Sequence, residues 1–194
     1  MFPNKKYKII YADPPWEYPL GRNKESGFWG LAENHYNTMK QDDLEILPVN
    51  QISDDNCVLF LWCTFPKLAE GLSLIKKWGF EYKTTAFVWI KNSKSTNTLK
   101  KYGLGYYTRS NAEIVMLGKK GKLDVISHSV QQIVTTTLSE HSKKPYSVRD
   151  RIIRLYGDLP RIELFARTKV HGWDVWGNDE KLQLQPLEAF TSIQ

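Results

Sequence analysis

The chain has 194 residues, 41% of them hydrophobic and 25% charged, a length and balance that suit one soluble domain with a sizeable core. Its 27 lysines and arginines against 21 acids give a net charge of +6, which inclines it towards a polyanionic partner. No run is apolar and long enough to span a membrane or serve as a signal peptide, and two cysteines without a Cys-x-x-Cys pair or a His-Cys cluster support neither a disulfide framework nor structural zinc.

The apolar run Ile9-Ile10-Tyr11-Ala12 predicts a first strand from Lys8 to Ala12, buried on both faces. It delivers Asp13-Pro14-Pro15-Trp16 to the strand end, where open α/β sheets keep their sites. These four residues suit a flat base with an exocyclic amine. The Asp13 carboxylate accepts one N–H of the amine. The locked φ of Pro14 holds its carbonyl as a second acceptor, and the Trp16 indole offers a stacking face. The polar stretch from Glu17 to Asn34 is long for a connector and carries Arg22, Lys24, Phe28 and Trp29. It suits a substrate lid as well as a plain loop.

Beyond Tyr36, a short helix is expected with Thr38 as its N-cap and Leu44 and Leu47 facing inward. Val58 to Trp62 reads as a second buried strand, and the even spacing of Cys57 and Cys63 puts both on one strand face. Residues 66–78 read as a helix with Leu68, Leu72 and Ile75 as its inner stripe, Pro66 at its start and Gly79 past its end. With Thr84 to Ile90 as a third strand, the order is βαβ and the sheet mainly parallel.

From Lys91 to Lys122 there are eight lysines and arginines and a single acid, Glu113. Within this stretch Lys91, Lys100, Lys101 and Arg109 suit phosphates, while Tyr106 and Tyr107, with Tyr36 upstream, suit stacked bases. Glu113 to Leu117 is expected as a strand and Gly118 to Gly121 as a turn; Ile133 to Thr137 is strand-like. A helix follows His141-Ser142-Lys143-Lys144-Pro145 and ends near Tyr156, with Gly157 as its C′ residue and Val148, Ile152 and Leu155 as its inner stripe. Ile162 to Ala166 is the last strong strand. The domain is expected to occupy residues 1–179, with a weakly structured tail over 180–194.

Three segments together resemble a known family: Asp13-Pro14-Pro15-Trp16, His141-Ser142-Lys143-Lys144-Pro145, and Glu163-Leu164-Phe165-Ala166-Arg167 running on to Trp173 and Gly177-Asn178. They look like the adenine-N(6) methyltransferases named after the seventy-kilodalton subunit of the eukaryotic mRNA adenosine methyltransferase, in its short bacterial or phage form. The resemblance covers roughly residues 7–179. It implies an α/β, Rossmann-like sheet with permuted, β-class-like motif order. It also implies S-adenosylmethionine as methyl donor and the 6-amino group of adenine in DNA as acceptor, with RNA as the alternative.

The catalytic residues would be Asp13, Pro14, Pro15 and Trp16, with no metal. Asp13, His141, Lys143, Lys144, Arg167, Asn178 and Asp179 would hold the cofactor. Asp179 stands where the family often has Gln, and an acid still accepts from ribose hydroxyls. The methionine carboxylate would fall to Asn111, to Arg109, or to Lys143 and Lys144 at a helix N-terminus. No Gly-rich Phe-x-Gly-x-Gly loop follows the last strand. A non-catalytic nucleic-acid-binding partner subunit is a further reading. Target selection is expected from the 17–35 and 91–111 loops, a partner subunit or a homodimer, in the cytoplasm of a bacterial or phage-infected cell.

Overall fold

A computed structural model describes residues 2–18, 38–93, 107–108, 110–137 and 144–177. The chain opens with β1 (Tyr7–Ala12), α1 (Gln41–Glu45), α2 (Val49–Ile52) and β2 (Ser53–Cys63). It continues through a 3-10 turn at Phe65–Lys67 to α3 (Leu68–Lys77), β3 (Glu81–Asn92) and β4 (Ala112–Lys120). The last elements are β5 (Ile133–Thr137), α4 (Ser147–Tyr156), β6 (Arg161–Leu164) and β7 (Asp174–Trp176). The strands form one sheet in the order β5-β3-β4-β2-β1-β6-β7. β4 runs antiparallel to both its neighbours, and the remaining pairings are parallel.

The β2–α3–β3 unit is therefore a crossover with a gap. Its two strands point the same way, as the βαβ pattern predicts, but β4 is inserted between them. Both strands are longer than their apolar cores suggest, because flanking polar residues also join the ladders: Tyr7 pairs with Ser53, and Glu81 with Lys119.

Side-chain alternation splits the core into two layers. Ile10, Ala12, Leu59, Leu61 and both cysteines face α1, α2 and α3. Ile9, Tyr11, Val58, Phe60 and Trp62 face α4. The cysteines thus share a strand face and are free, and burial pushes each thiol up to about 12.

Four local expectations are corrected. The residue capping α1 is Lys40 rather than Thr38, and no side chain caps the helix. On α3 the buried residues are Gly71, Leu74 and Ile75, followed by Trp78, whereas Leu68 and Leu72 are 41% and 39% exposed. The helix rotates because Gly71 lets it sit close to the sheet: a Cβ there would lie 3.0 Å from Cys63 Sγ and 3.1 Å from Met116 Sδ. Gly118 belongs to β4 instead of a turn, since a Cβ there would meet Phe80 and Ile75 at 3.0 and 3.1 Å; the turn glycine is Gly121, with φ of +63°. On α4, Arg149 and Tyr156 are buried and Leu155 only half-buried.

Candidate active site

β1 is paired on one side with β2 and on the other with β6, and Ala12 lies in register with Leu164. The connection leaving β1 carries α1 and α2 on one face, and the connection entering β6 carries α4 on the other. The C-terminal ends of β1 and β6 thus meet at a topological switch point, where such sheets open a crevice. Asp13 and Phe165 leave the two strands side by side. The permuted order has this physical meaning: segments about 150 residues apart in sequence become neighbours through one parallel pairing.

After β1 the chain tightens at once. The Trp16 N–H donates to the Pro14 carbonyl at 2.9 Å, a three-residue turn that occupies one of that oxygen's two lone pairs. Met39 N–H donates to the Pro15 carbonyl at 2.8 Å, and Glu17 N–H to the Met39 carbonyl at 3.2 Å. Both ends of the long loop are thereby pinned at the quartet. Trp16 is 6% exposed and its indole N–H donates to the Trp62 carbonyl at 3.2 Å, so the ring braces the turn from within the core. Its remaining exposed edge joins Glu17, Met39, Gln41, Lys67 and Glu70 around a hollow of about 270 Å³; Asp13 does not line that hollow.

On the α4 side, four charges alternate across the strand ends. Lys144, just ahead of α4, lies 3.0 Å from Asp13 Oδ1 and 3.2 Å from Glu113 Oε2. Lys91, near the end of β3, forms an ion pair with the other oxygen of Glu113. The Lys144 ammonium also sits 5.2 Å from the centre of the Trp62 ring, and Lys91 4.9 Å from that of Trp89. Burial alone would lower Lys144, but the Asp13 and Glu113 carboxylates outweigh it and raise the group above its ordinary value. Burial would likewise raise Glu113, but Lys144 and Lys91 prevail and hold it down at about 2.

Because Glu113 is depressed in the fold, its contribution to stability is complete above its ordinary value of 4.5 and disappears as pH falls towards 2. Wild-type chain should therefore lose stability across that window more steeply than Glu113→Gln in denaturant titrations. Equal slopes would show that the ion pairs do not form.

A second polar group lies beside the first. Arg149 grips Glu163 with two bonds, Nε to Oε2 at 2.7 Å and Nη2 to Oε1 at 2.5 Å. Its guanidinium rests 5.3 Å from the Tyr11 ring centre, and the Tyr11 hydroxyl accepts the Trp62 indole N–H at 2.5 Å. Burial works against the charge on Arg149, yet the Glu163 carboxylate raises it further. At the end of β6, Phe165 takes φ of +61°, a left-handed conformation that strains a residue with a bulky Cβ. Its ring packs edge-on to Trp176 at 5.5 Å.

Of the sequence-predicted residues, Asp13, Pro14, Pro15, Trp16 and Lys144 come together here. Arg167 is exposed just past Phe165 and Ala166. Lys91 is in this group as well, but through Glu113 rather than on an open basic surface, and Tyr107 is fully exposed. Tyr36, Lys100, Lys101, Tyr106, Arg109, His141, Lys143, Asn178 and Asp179 lie outside the described residues. Sequence reasoning missed Glu113, Arg149 and Glu163 as site residues. For Glu113 a signal existed: it is the lone acid in a long basic stretch. Among the described residues no group of three or more His, Cys, Asp or Glu could hold a metal, and no helix is long and apolar enough to cross a membrane.

A family model described as MT-A70 matches residues 7–179. The chain is 38% identical over 200 residues to the Type II methyltransferase M.MunI of Mycoplasma sp, across 94% of this chain and 82% of that protein. It is 25% identical over 193 residues to an N(6)-adenosine-methyltransferase MT-A70-like protein of Drosophila melanogaster, across 97% of this chain and 29% of that protein. Against the N(6)-adenosine-methyltransferase catalytic subunit METTL3 of Homo sapiens it is 24% identical over 163 residues, across 84% of this chain and 26% of the human protein.

Proposed function

The chain belongs to the MT-A70 family, and from that membership we propose that it transfers a methyl group from S-adenosylmethionine to the exocyclic 6-amino group of adenine in DNA. The observation that carries the reading is the Asp13 carboxylate beside the Lys144 ammonium at the joined ends of β1 and β6. DNA is preferred as acceptor because the similarity to a Type II methyltransferase is higher and covers most of that protein. The chain works in the cytoplasm as a homodimer or with a partner subunit.

The residues present fit the cofactor. A methionine tail carries an ammonium and a carboxylate, and the strand ends offer a carboxylate and an ammonium 3.0 Å apart. Asp13 and Lys144, with His141 and Lys143 nearby in sequence and Arg167, Asn178 and Asp179 towards the ribose, would hold S-adenosylmethionine, which supplies an electrophilic methyl group on a sulfonium.

The protein's task is to make a poor nucleophile attack. The lone pair of the adenine amine is delocalised into its ring. Asp13 accepts one N–H, and the Pro14 carbonyl accepts the other with the lone pair that the Trp16 N–H leaves open. Two acceptors fixed in place favour the pyramidal nitrogen that attack requires, and the rigid turn holds them in line. Reaching the amine in duplex DNA requires the base to be extruded.

Incubation with radiolabelled S-adenosylmethionine and duplex DNA, single-stranded DNA or RNA, with Asp13→Ala as control, tests this. Duplex DNA should gain label. Label on RNA alone would move the acceptor to RNA, and no label above the control on any polynucleotide would sink the enzyme reading.

A further inference from the structure

Composition places Lys91 at the head of a basic, nucleic-acid-binding stretch, but its environment is internal. Its side chain is 18% exposed and is ion-paired with Glu113, itself 14% exposed. The ammonium also lies over the Trp89 ring. Trp89 is the register partner of Glu113 across β3 and β4, and its indole N–H is anchored on Thr136 Oγ1 at 2.8 Å. A lysine held on a carboxylate and an indole in this way has little left for a phosphate.

The second oxygen of Glu113 holds Lys144, which in turn holds Asp13. We infer that Lys91 and Glu113 are a positioning pair for the proposed methyl transfer: Glu113 tethers the Lys144 ammonium against Asp13, and Lys91 balances Glu113. The inference rests on that functional reading for its consequence, though not for the pairing itself. Asp13, Lys144, Glu113 and Lys91 come from the exit of β1, the approach to α4, β4 and β3, and their two negative and two positive charges cancel. Charges this far from water persist when paired and hydrogen-bonded. Without Lys91, Glu113 has Lys144 as its remaining partner in the cluster and draws that ammonium away from Asp13. The carboxylate that must accept the amine then loses the group that fixes its rotamer.

The test separates this from phosphate binding. In Lys91→Gln, turnover at saturating DNA and cofactor should fall about tenfold or more, as small displacements of reacting groups do, and Lys91→Arg should restore most of it. The slope of log affinity for duplex DNA against log salt should stay at the wild-type value. A phosphate contact would instead lower that slope by about one unit. A lowered slope, or an unchanged saturated rate, overturns the proposal.

Nitrogen-15 lysine ammonium spectra of the free chain decide the pairing without transfer and without the Lys91→Gln variant. The Lys91 resonance, assigned by its loss in Lys91→Arg, should be slow-exchanging in wild type and lose that protection in Glu113→Gln. Protection that survives Glu113→Gln, or is absent from wild type, overturns the pairing. Wild type that labels no polynucleotide fails the functional reading while these spectra still decide the pair.

Discussion

Asp13→Asn should lower methyl transfer on the order of 10³-fold, the scale seen when a fixed polar group aimed at the reacting centre is lost. The substitution keeps the shape but turns half of the acceptor into a donor, so the amide now presents N–H where the adenine amine presents N–H. It also removes the charge that Lys144 meets at 3.0 Å, leaving that ammonium on Glu113. The fold should survive, since Lys144 keeps a carboxylate and the backbone of the quartet is held by its own bonds to Trp16 and Met39. Single-turnover rates with labelled cofactor, measured beside a thermal melt, check both halves. A rate within tenfold of wild type in a folded Asp13→Asn chain would remove Asp13 from the chemistry.

The largest effect on stability should come from Arg149→Met. The Arg149–Glu163 pair is almost fully buried and bidentate. Removing the guanidinium leaves Glu163 as an uncompensated buried carboxylate, which costs about 3–5 kcal/mol. For a chain of this size that lowers the melting temperature on the order of 10 °C. The pair itself is worth less than the penalty for breaking it, so Arg149→Met combined with Glu163→Leu should recover a large part of the loss. A double variant no more stable than Arg149→Met alone would show that the guanidinium matters through its packing on Tyr11 rather than through charge.

The surrounding helices show where local pattern stops being informative. Leucine spacing on α3 points to Leu68 and Leu72 as inward residues, yet both are exposed because Gly71 and Trp78 set the rotation. Periodicity counts hydrophobic side chains and is blind to a glycine whose missing Cβ allows close approach to Cys63 and Met116. The same blindness put Gly118 in a turn. Arg149 was hidden for the opposite reason: a charged residue at a helical position reads as solvent-facing until its partner, Glu163, is brought to it by β6.

What the sequence determined by itself is local and chemical. The strand leading into Asp13-Pro14-Pro15-Trp16, the facing of the two cysteines and the glycines that close α3 and α4 all follow from residues within a few positions of one another, and the family resemblance follows from three such short segments read in order. The tertiary structure alone decided which distant residues share the site. It set β4 antiparallel between β2 and β3, which brought Glu113 next to Lys91, and it set β6 against β1, which put Phe165 beside Asp13. It also turned Lys91 from a surface cation into part of an internal ion-pair chain. The physical reason is range: side-chain periodicity and turn chemistry act over a few residues, whereas strand order and the pairing of buried charges are set by which segments lie adjacent when the whole sheet closes.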